Sequence, residues 1–238
     1  MQPYDGPLLA ATALARSYGP RRVLRGVELT LSAGETLLVA GANGAGKTTL
    51  LRILAGLMRP GSGEVRVLGR RLTHADPDAR RPIGLVSHQS LLYDDLTLTE
   101  NLTFAARLHG LKPPGEAARR ALADVALSGH ADVTPRQLSR GMLQRAAIAR
   151  ALIHEPPLLL LDEPFTGLDA GAAERLRSLL AARASAGRAV VIVTHQLAEA
   201  WDLASRVAVL SGGRLVLDEP RQGDAGAFLP RYAAMTGG

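Results

Sequence analysis

Two hydrophobic periodicities run along this chain, and they predict different elements. Alternating apolar positions at Val27, Leu29 and Leu31 predict a half-buried strand, with the run Leu8 to Ala15 as its neighbour. Thr36 to Ala40 is a continuous apolar run, the pattern of a strand covered on both faces, and it leads through a glycine-rich turn into a helix from Lys47 to about Leu57. Glu64 to Leu68 alternates again after the turn residues 60–63, and Ile83 to Val86 reads as a short buried strand. From about Leu96 to Arg150 the period becomes helical, with helices opening at Thr99, spanning Gly115 to Val125, and running Ser139 to His154. Strand patterns return at Leu158–Leu161, Val190–Thr194, Val207–Leu210 and Leu215–Leu217, with helices predicted at Ala170–Ala184 and Gln196–Ala204.

This order predicts an α/β fold: a parallel sheet with crossover helices, a small antiparallel β part, and a helical subdomain inserted at about 96–150. One domain is drawn over residues 1–218. The tail, 219–238, carries Gly and Pro without a clear period. The apolar run at Leu8 also resembles the core of a secretion signal, but Asp5 stands where a basic region belongs and strand patterning follows directly, so a first strand is expected. No apolar stretch approaches the roughly 18–20 residues that span a bilayer.

Composition narrows the function. The chain has 238 residues, 47% hydrophobic and 21% charged, which excludes wholesale disorder. It has no cysteine, so thiolate metal sites, disulfides and cysteine nucleophiles are out. The net charge is +6, carried by 26 Arg and only 2 Lys. Adjacent basic residues come at most in pairs (Arg21-Arg22, Arg70-Arg71, Arg80-Arg81, Arg119-Arg120), and aromatics are 3%, so a nucleic-acid surface is not expected. With so few lysines, one inside a motif carries weight.

Lys47 is such a lysine. Gly41, Ala42, Asn43, Gly44, Ala45, Gly46, Lys47 and Thr48 form a phosphate-binding loop pattern, placed after a buried strand and before a helix. Glycines let successive N–H groups turn toward an anion, and the helix start adds its positive dipole end. Lys47 is expected to bridge β- and γ-phosphate oxygens, Thr48 to place its hydroxyl on Mg²⁺, and Thr49 to add a phosphate contact. The second element is Leu158 to Leu161 followed by Asp162 and Glu163: a buried strand delivering two carboxylates, Asp162 toward Mg²⁺ and Glu163 toward the attacking water. The third is Ser139 and Gly141 at a helix start, a further anion site that on its own would be an ordinary N-cap.

These motifs, in this order and spacing, resemble the ATP-binding subunit of an ABC transporter, a P-loop NTPase with a RecA-like core, over roughly Leu8 to Leu217. The resemblance implies that Tyr18 stacks on adenine, and that Gln89 senses Mg²⁺ and the γ-phosphate and couples them to the membrane subunits. It implies that Asp169 communicates across a dimer, and that His195 contacts the γ-phosphate. It implies ATP and Mg²⁺ as cofactors, with two copies closing head-to-tail so that ATP lies between Lys47 of one and Ser139 of the other. Transmembrane permease subunits would dock near Gln89–Thr99, with the chain peripheral on the cytoplasmic side of the bacterial inner membrane. The signature departs from the family's usual Leu-Ser-Gly-Gly-Gln at Arg140 and Met142. The segment Ile83–Thr97, with Glu100, Asn101 and Leu102, is similar to the haem-exporter ATPases of cytochrome c maturation. Multidrug or antibiotic efflux ATPases are the alternative, and a small-molecule kinase is a further one. His88 is expected to be a packing or surface residue.

Overall fold

A computed structural model of the chain describes residues 6–73 and 75–237; Asp5, and with it residues 1–5 and Gly238 of the ranges drawn above, lies outside them. The elements are β1 (Leu9–Tyr18), β2 (Arg21–Leu31), β3 (Thr36–Ala40), α1 (Lys47–Leu54), β4 (Ser62–Val67), β5 (Arg70–Arg71) and β6 (Ile83–Val86). Three helices follow, α2 (Leu98–Leu108), α3 (Pro114–Asp124) and α4 (Arg140–Leu152). The chain then alternates through β7 (Leu158–Asp162), α5 (Ala170–Ser185), β8 (Ala189–Val193), α6 (Leu197–Ala200), β9 (Arg206–Ser211), β10 (Arg214–Pro220) and α7 (Ala225–Thr236).

Strands β2-β1-β4-β5 make an antiparallel sheet. The signal-like run Leu8–Ala15 is its β1, paired on both sides. The second sheet has the order β10-β9-β3-β8-β7-β6, parallel except for the β9–β10 hairpin. Its central strands read as apolar runs because each face meets a different core. Leu37, Val39, Leu158, Leu160 and Val191 pack with α1 and the antiparallel sheet, whereas Leu38, Ala40, Leu159, Leu161 and Ile192 pack with α2 to α5. The period-2 geometry of a strand sends successive side chains to these opposite layers.

The inserted helices are where sequence predicted them. Thr97 caps α2 through a capping box with Glu100, whose carboxylate takes the Thr97 N–H at 2.8 Å. The buried Asn101 fixes the preceding loop by accepting from Tyr93 N at 2.7 Å and donating to Tyr93 and Leu96 carbonyls.

Two expectations differ from what is observed. The predicted helix Gln196–Ala204 is a single turn, α6, followed by a 3₁₀ turn at Trp201–Leu203. The tail is not irregular: β10 runs on to Pro220, and α7 begins behind an Asp224 cap that accepts from Ala227 N at 2.8 Å. Gly226 and Pro230 dilute the helical signal, yet Ala225, Phe228, Tyr232 and Met235 recur at helical spacing and pack on the main core.

Between the helical insert and the sheet, His154 stacks on His109 with ring centres 3.6 Å apart and planes 8° apart. Both ring nitrogens of His154 are buried without a well-formed hydrogen bond, the backbone at Ile83 and Arg81 only partly favouring the charged ring. Burial, followed by the neighbouring His109, lowers its pKa from 6.5 to about 4. The unfolded chain therefore takes a proton that the folded chain refuses, so the stabilisation is whole above the unfolded value and is lost as pH falls from there toward the folded one. Urea denaturation followed down this pH window should show stability falling, and His154→Leu should flatten the fall. An unchanged slope in the variant would refute this account.

Candidate functional site

The site assembles at the carboxyl edge of the parallel sheet. After Ala40 the chain turns through residues 41–46 and enters α1 at Lys47. Gly46 caps that helix at φ 110°, in the left-handed region, and a Cβ there would lie 2.9 Å from the Val23 carbonyl. Lys47 folds back over its own loop: Nζ donates to the carbonyls of Gly41 at 2.6 Å and Ala42 at 3.1 Å. Burial lowers its pKa, while the carboxylates of Glu163 and Asp162 raise it. One ammonium thus faces both acidic residues across the loop.

Those acids come from the end of β7. Asp162 is 5% exposed. Desolvation pushes its carboxyl up, opposed by the Thr48 hydroxyl. A buried carboxylate paired with a hydroxyl is a hard oxygen donor set, the kind that suits Mg²⁺ with the remaining positions filled by water or phosphate oxygens. Among the described residues no group of three or more His, Cys, Asp or Glu forms a protein-only metal cage.

Glu163 sits at φ 50°, a left-handed conformation that a glutamate adopts only when its surroundings enforce it. Here they do. Its N–H donates to Val193 O at 2.8 Å, Thr194 Oγ1 donates to Oε2 at 2.7 Å, and the His195 N–H donates to Oε1 at 3.0 Å. His195 Nδ1 also lies 2.8 Å from Oε1. Both Glu163 oxygens are occupied, which fixes the carboxylate in one orientation.

These groups line an open cleft of about 450 Å³. Asn43, Gly44, Gly46, Lys47, Thr48 and Thr49 form one wall; Asp162 and Glu163 stand opposite. Tyr18 stands at the mouth, 45% exposed, its hydroxyl donating to Met58 Sδ at 3.1 Å, beside Arg21 and Val23. The Arg16 guanidinium lies over one face of the ring, 5.2 Å from its centre, so stacking falls to the other face.

Several predicted residues lie elsewhere. Gln89 is exposed and outside the lining; its neighbour His88 reaches the cleft and favours the ionised form of Asp162. Successive side chains along this bend diverge, so a shift of one residue decides which faces the acids. His195 engages Glu163 and is not part of the lining. Asp169 caps α5, accepting from Ala172 N at 2.7 Å, and Ser139 caps α4, accepting from Met142 N at 3.3 Å. Ser139, Gly141 and Asp169 all lie outside the cleft of their own chain. Ala45 belongs to the turn but faces its far side, around a second hollow, and Gly41 lines neither. Thr194, Arg21 and Val23 were missed: one precedes a noted histidine, and the other two are two strand positions with no motif of their own.

Comparison with known proteins follows the same lines. A family profile described as "ABC transporter" matches residues 24–166. The molybdenum import ATP-binding protein of Mycobacterium tuberculosis is 45% identical over 201 residues, 79% of this chain and 54% of the relative. The cytochrome c biogenesis ATP-binding export protein of Cupriavidus necator is 41% identical over 193 residues, 81% of this chain and 85% of the relative. The chain thus spans little more than half of the import relative. Among solved structures, a dimeric ATP-binding cassette in a post-hydrolysis state with ADP and Pi superposes with a TM-score of 0.83 at 30% identity, covering 90% of this chain and 99% of the other.

The grip on Glu163 yields a test. Thr194→Val removes the hydroxyl at Oε2 while keeping the side-chain shape. ATP turnover should fall about tenfold with the apparent ATP affinity little changed, because only the orientation of the Glu163 carboxylate is lost. Steady-state kinetics that show unaltered turnover would sink this role.

Proposed function

The chain belongs to the ABC transporter family, and we propose from that premise that it is an ATP-binding and ATP-hydrolysing subunit that drives a membrane transporter. The observation that carries the reading is the placement of Glu163, gripped by Thr194 and His195, across one cleft from the Lys47 loop. In this reading Lys47 leaves its loop carbonyls for the β- and γ-phosphate oxygens, the loop amides turn toward the phosphates, and Tyr18 stacks on adenine. Bound Mg²⁺ would be held by Thr48 and Asp162, neutralising phosphate charge. Glu163 orients and polarises the attacking water, and His195 acts by steadying that carboxylate.

Ser139 and Gly141, outside the cleft of their own chain, suit a head-to-tail second copy whose α4 N-terminus faces the nucleotide, with Asp169 beside that interface. No described helix is long and apolar enough to cross a membrane, and in this reading transmembrane permease subunits do so. A groove of about 380 Å³ suits their docking: Leu57, Leu91, Tyr93, Phe104 and Leu108 are exposed along it, with Arg80 and Arg81 at its side. It includes part of the segment Gln89–Thr99, and membrane subunits seated there would hold the chain peripherally at the cytoplasmic side of the bacterial inner membrane.

For the cargo we propose haem export in cytochrome c maturation, supported by the segment Val86–Leu98, the Arg140 and Met142 form of the signature, and the 41% identity to the cytochrome c biogenesis relative. Import relatives match at similar identity, 39% for a spermidine/putrescine protein of Pseudomonas aeruginosa and 45% for the molybdenum protein. Drug or antibiotic efflux remains the second reading.

Two experiments test these levels separately. Glu163→Gln should bind ATP and accumulate a closed dimer while hydrolysis drops by about 10²–10⁴-fold, whereas Lys47→Ala should lose nucleotide binding. Undiminished hydrolysis in Glu163→Gln would remove the ATPase assignment. In the source cell, Glu163→Gln should abolish c-type cytochrome assembly while apocytochrome is still made and secreted. Normal cytochrome assembly together with new drug sensitivity would replace haem with efflux.

A further inference from the structure

The turn that follows Glu163 is held from α4 at three points. Gln144 Nε2 donates to the Pro164 carbonyl at 3.1 Å, a part-buried hydrogen bond between positions 20 residues apart. A carbonyl only accepts, so this contact fixes which way the Gln144 amide faces. Gly141 approaches the same turn so closely that a Cβ on it would stand 2.7 Å from the Gly167 carbonyl. Arg140 lays its stem over Gly167, where an added Cβ would meet its Cγ and Cδ at 3.1 and 3.2 Å. Positions 140, 141 and 144 neighbour one another on a helix surface, so one face of α4 makes all three contacts.

Glu163 is a residue that needs such support. Its φ of 50° is left-handed, and the proline after it narrows its backbone further. Its N–H is spent on Val193 O, and its carbonyl accepts from Thr166 N at 3.2 Å, which closes the turn. Phe165 is buried in the main core, with the Arg177 guanidinium over its ring at 5.6 Å. The Pro164 carbonyl is one residue from Glu163, so a shift there rotates the backbone that aims the carboxylate. Thr194 and His195 hold the carboxylate end. Gln144 holds the backbone end.

We propose that Gln144 is a positioning residue for ATP hydrolysis: from the second turn of α4 it fixes the Pro164 carbonyl, and so the backbone from which Glu163 aims at the attacking water. This rests on the ATP-hydrolysing reading of the cleft. Gln144 lines no part of that cleft and acts through Pro164. Its loss is therefore felt in the chemical step and not in nucleotide binding. The same bond fastens Glu163 to the helix that Ser139 caps, so the two keep a fixed relation.

The test uses the full chain with the membrane subunits that co-purify with it, and ATP as the probe in calorimetry and steady-state hydrolysis. Gln144→Met keeps the side-chain length and removes the donor, and Gln144→Glu turns an oxygen toward the carbonyl instead. Ile148→Val, one turn further along the helix and buried in the main core, loosens packing alone. Gln144→Met should lower kcat about fivefold to twentyfold with Kd and KM for ATP within about twofold, and Gln144→Glu should fall at least as far. Ile148→Val should lower the melting temperature and leave kcat near wild type. Unchanged kcat in either Gln144 variant overturns the proposal alone. So does a loss carried by Kd with kcat intact, since Gln144 would then serve binding. An equal fall in kcat for Ile148→Val overturns it as well, since α4 would then act only by packing. A wild-type chain that turns over no ATP with its membrane subunits overturns the reading of the cleft, and this proposal with it.

Discussion

Everything at the site depends on β3 being buried on both faces. Leu37, Leu38, Val39 and Ala40 are fully inaccessible, and the strand pairs with β8 on one side and β9 on the other. A strand so enclosed must satisfy all its backbone groups in the sheet, so its neighbours are held in fixed parallel register. Asp162 lies opposite Val193, and Val193 opposite Val39. That register brings three strand ends to one edge: Gly41 after β3, Asp162 and Glu163 from β7, and Thr194 and His195 after β8. A slip of one residue would turn Asp162 and Glu163 to opposite faces.

At that edge the charges balance locally. The buried Lys47 loses hydration but faces two carboxylates, and Asp162, itself desolvated, is favoured in its ionised form by Thr48. Glu163 holds a backbone conformation that costs about 1–3 kcal/mol, offset by hydrogen bonds from Thr194 and His195. Strain and charge are concentrated where chemistry is proposed, and the surrounding strands are plain aliphatic packing.

The helical insert is tied to this edge through α4. Arg150, near the end of the helix that Ser139 opens, donates to Leu85 O at 2.7 Å and to Ser90 O at 3.3 Å. Its partners are β6 and the segment that carries His88 and Gln89. One helix thus joins the Ser139 cap, the bend beside the cleft and the apolar groove. Arg150 and Ala151, at the C-terminal end of the helix, line that groove.

The sequence by itself determined the order of strands and helices, the antiparallel part, the inserted helices, the Gly41–Thr49 loop and the acidic pair, because each follows from local periodicity, turn chemistry or a contiguous motif. It also marked His195, though not its contact. Which residues share the cleft was settled by tertiary structure alone. His88 faces it in place of Gln89 because of how one bend turns, and Thr194 grips Glu163 from behind the cleft because sheet register puts its hydroxyl against that carboxylate. The helical order of the tail was hidden by Gly226 and Pro230, and its attachment depends on Trp201, whose indole N–H donates to Gly223 O and whose ring meets Phe228. Periodicity along a chain reports which face of an element is buried; it carries no information about which distant element will cover that face.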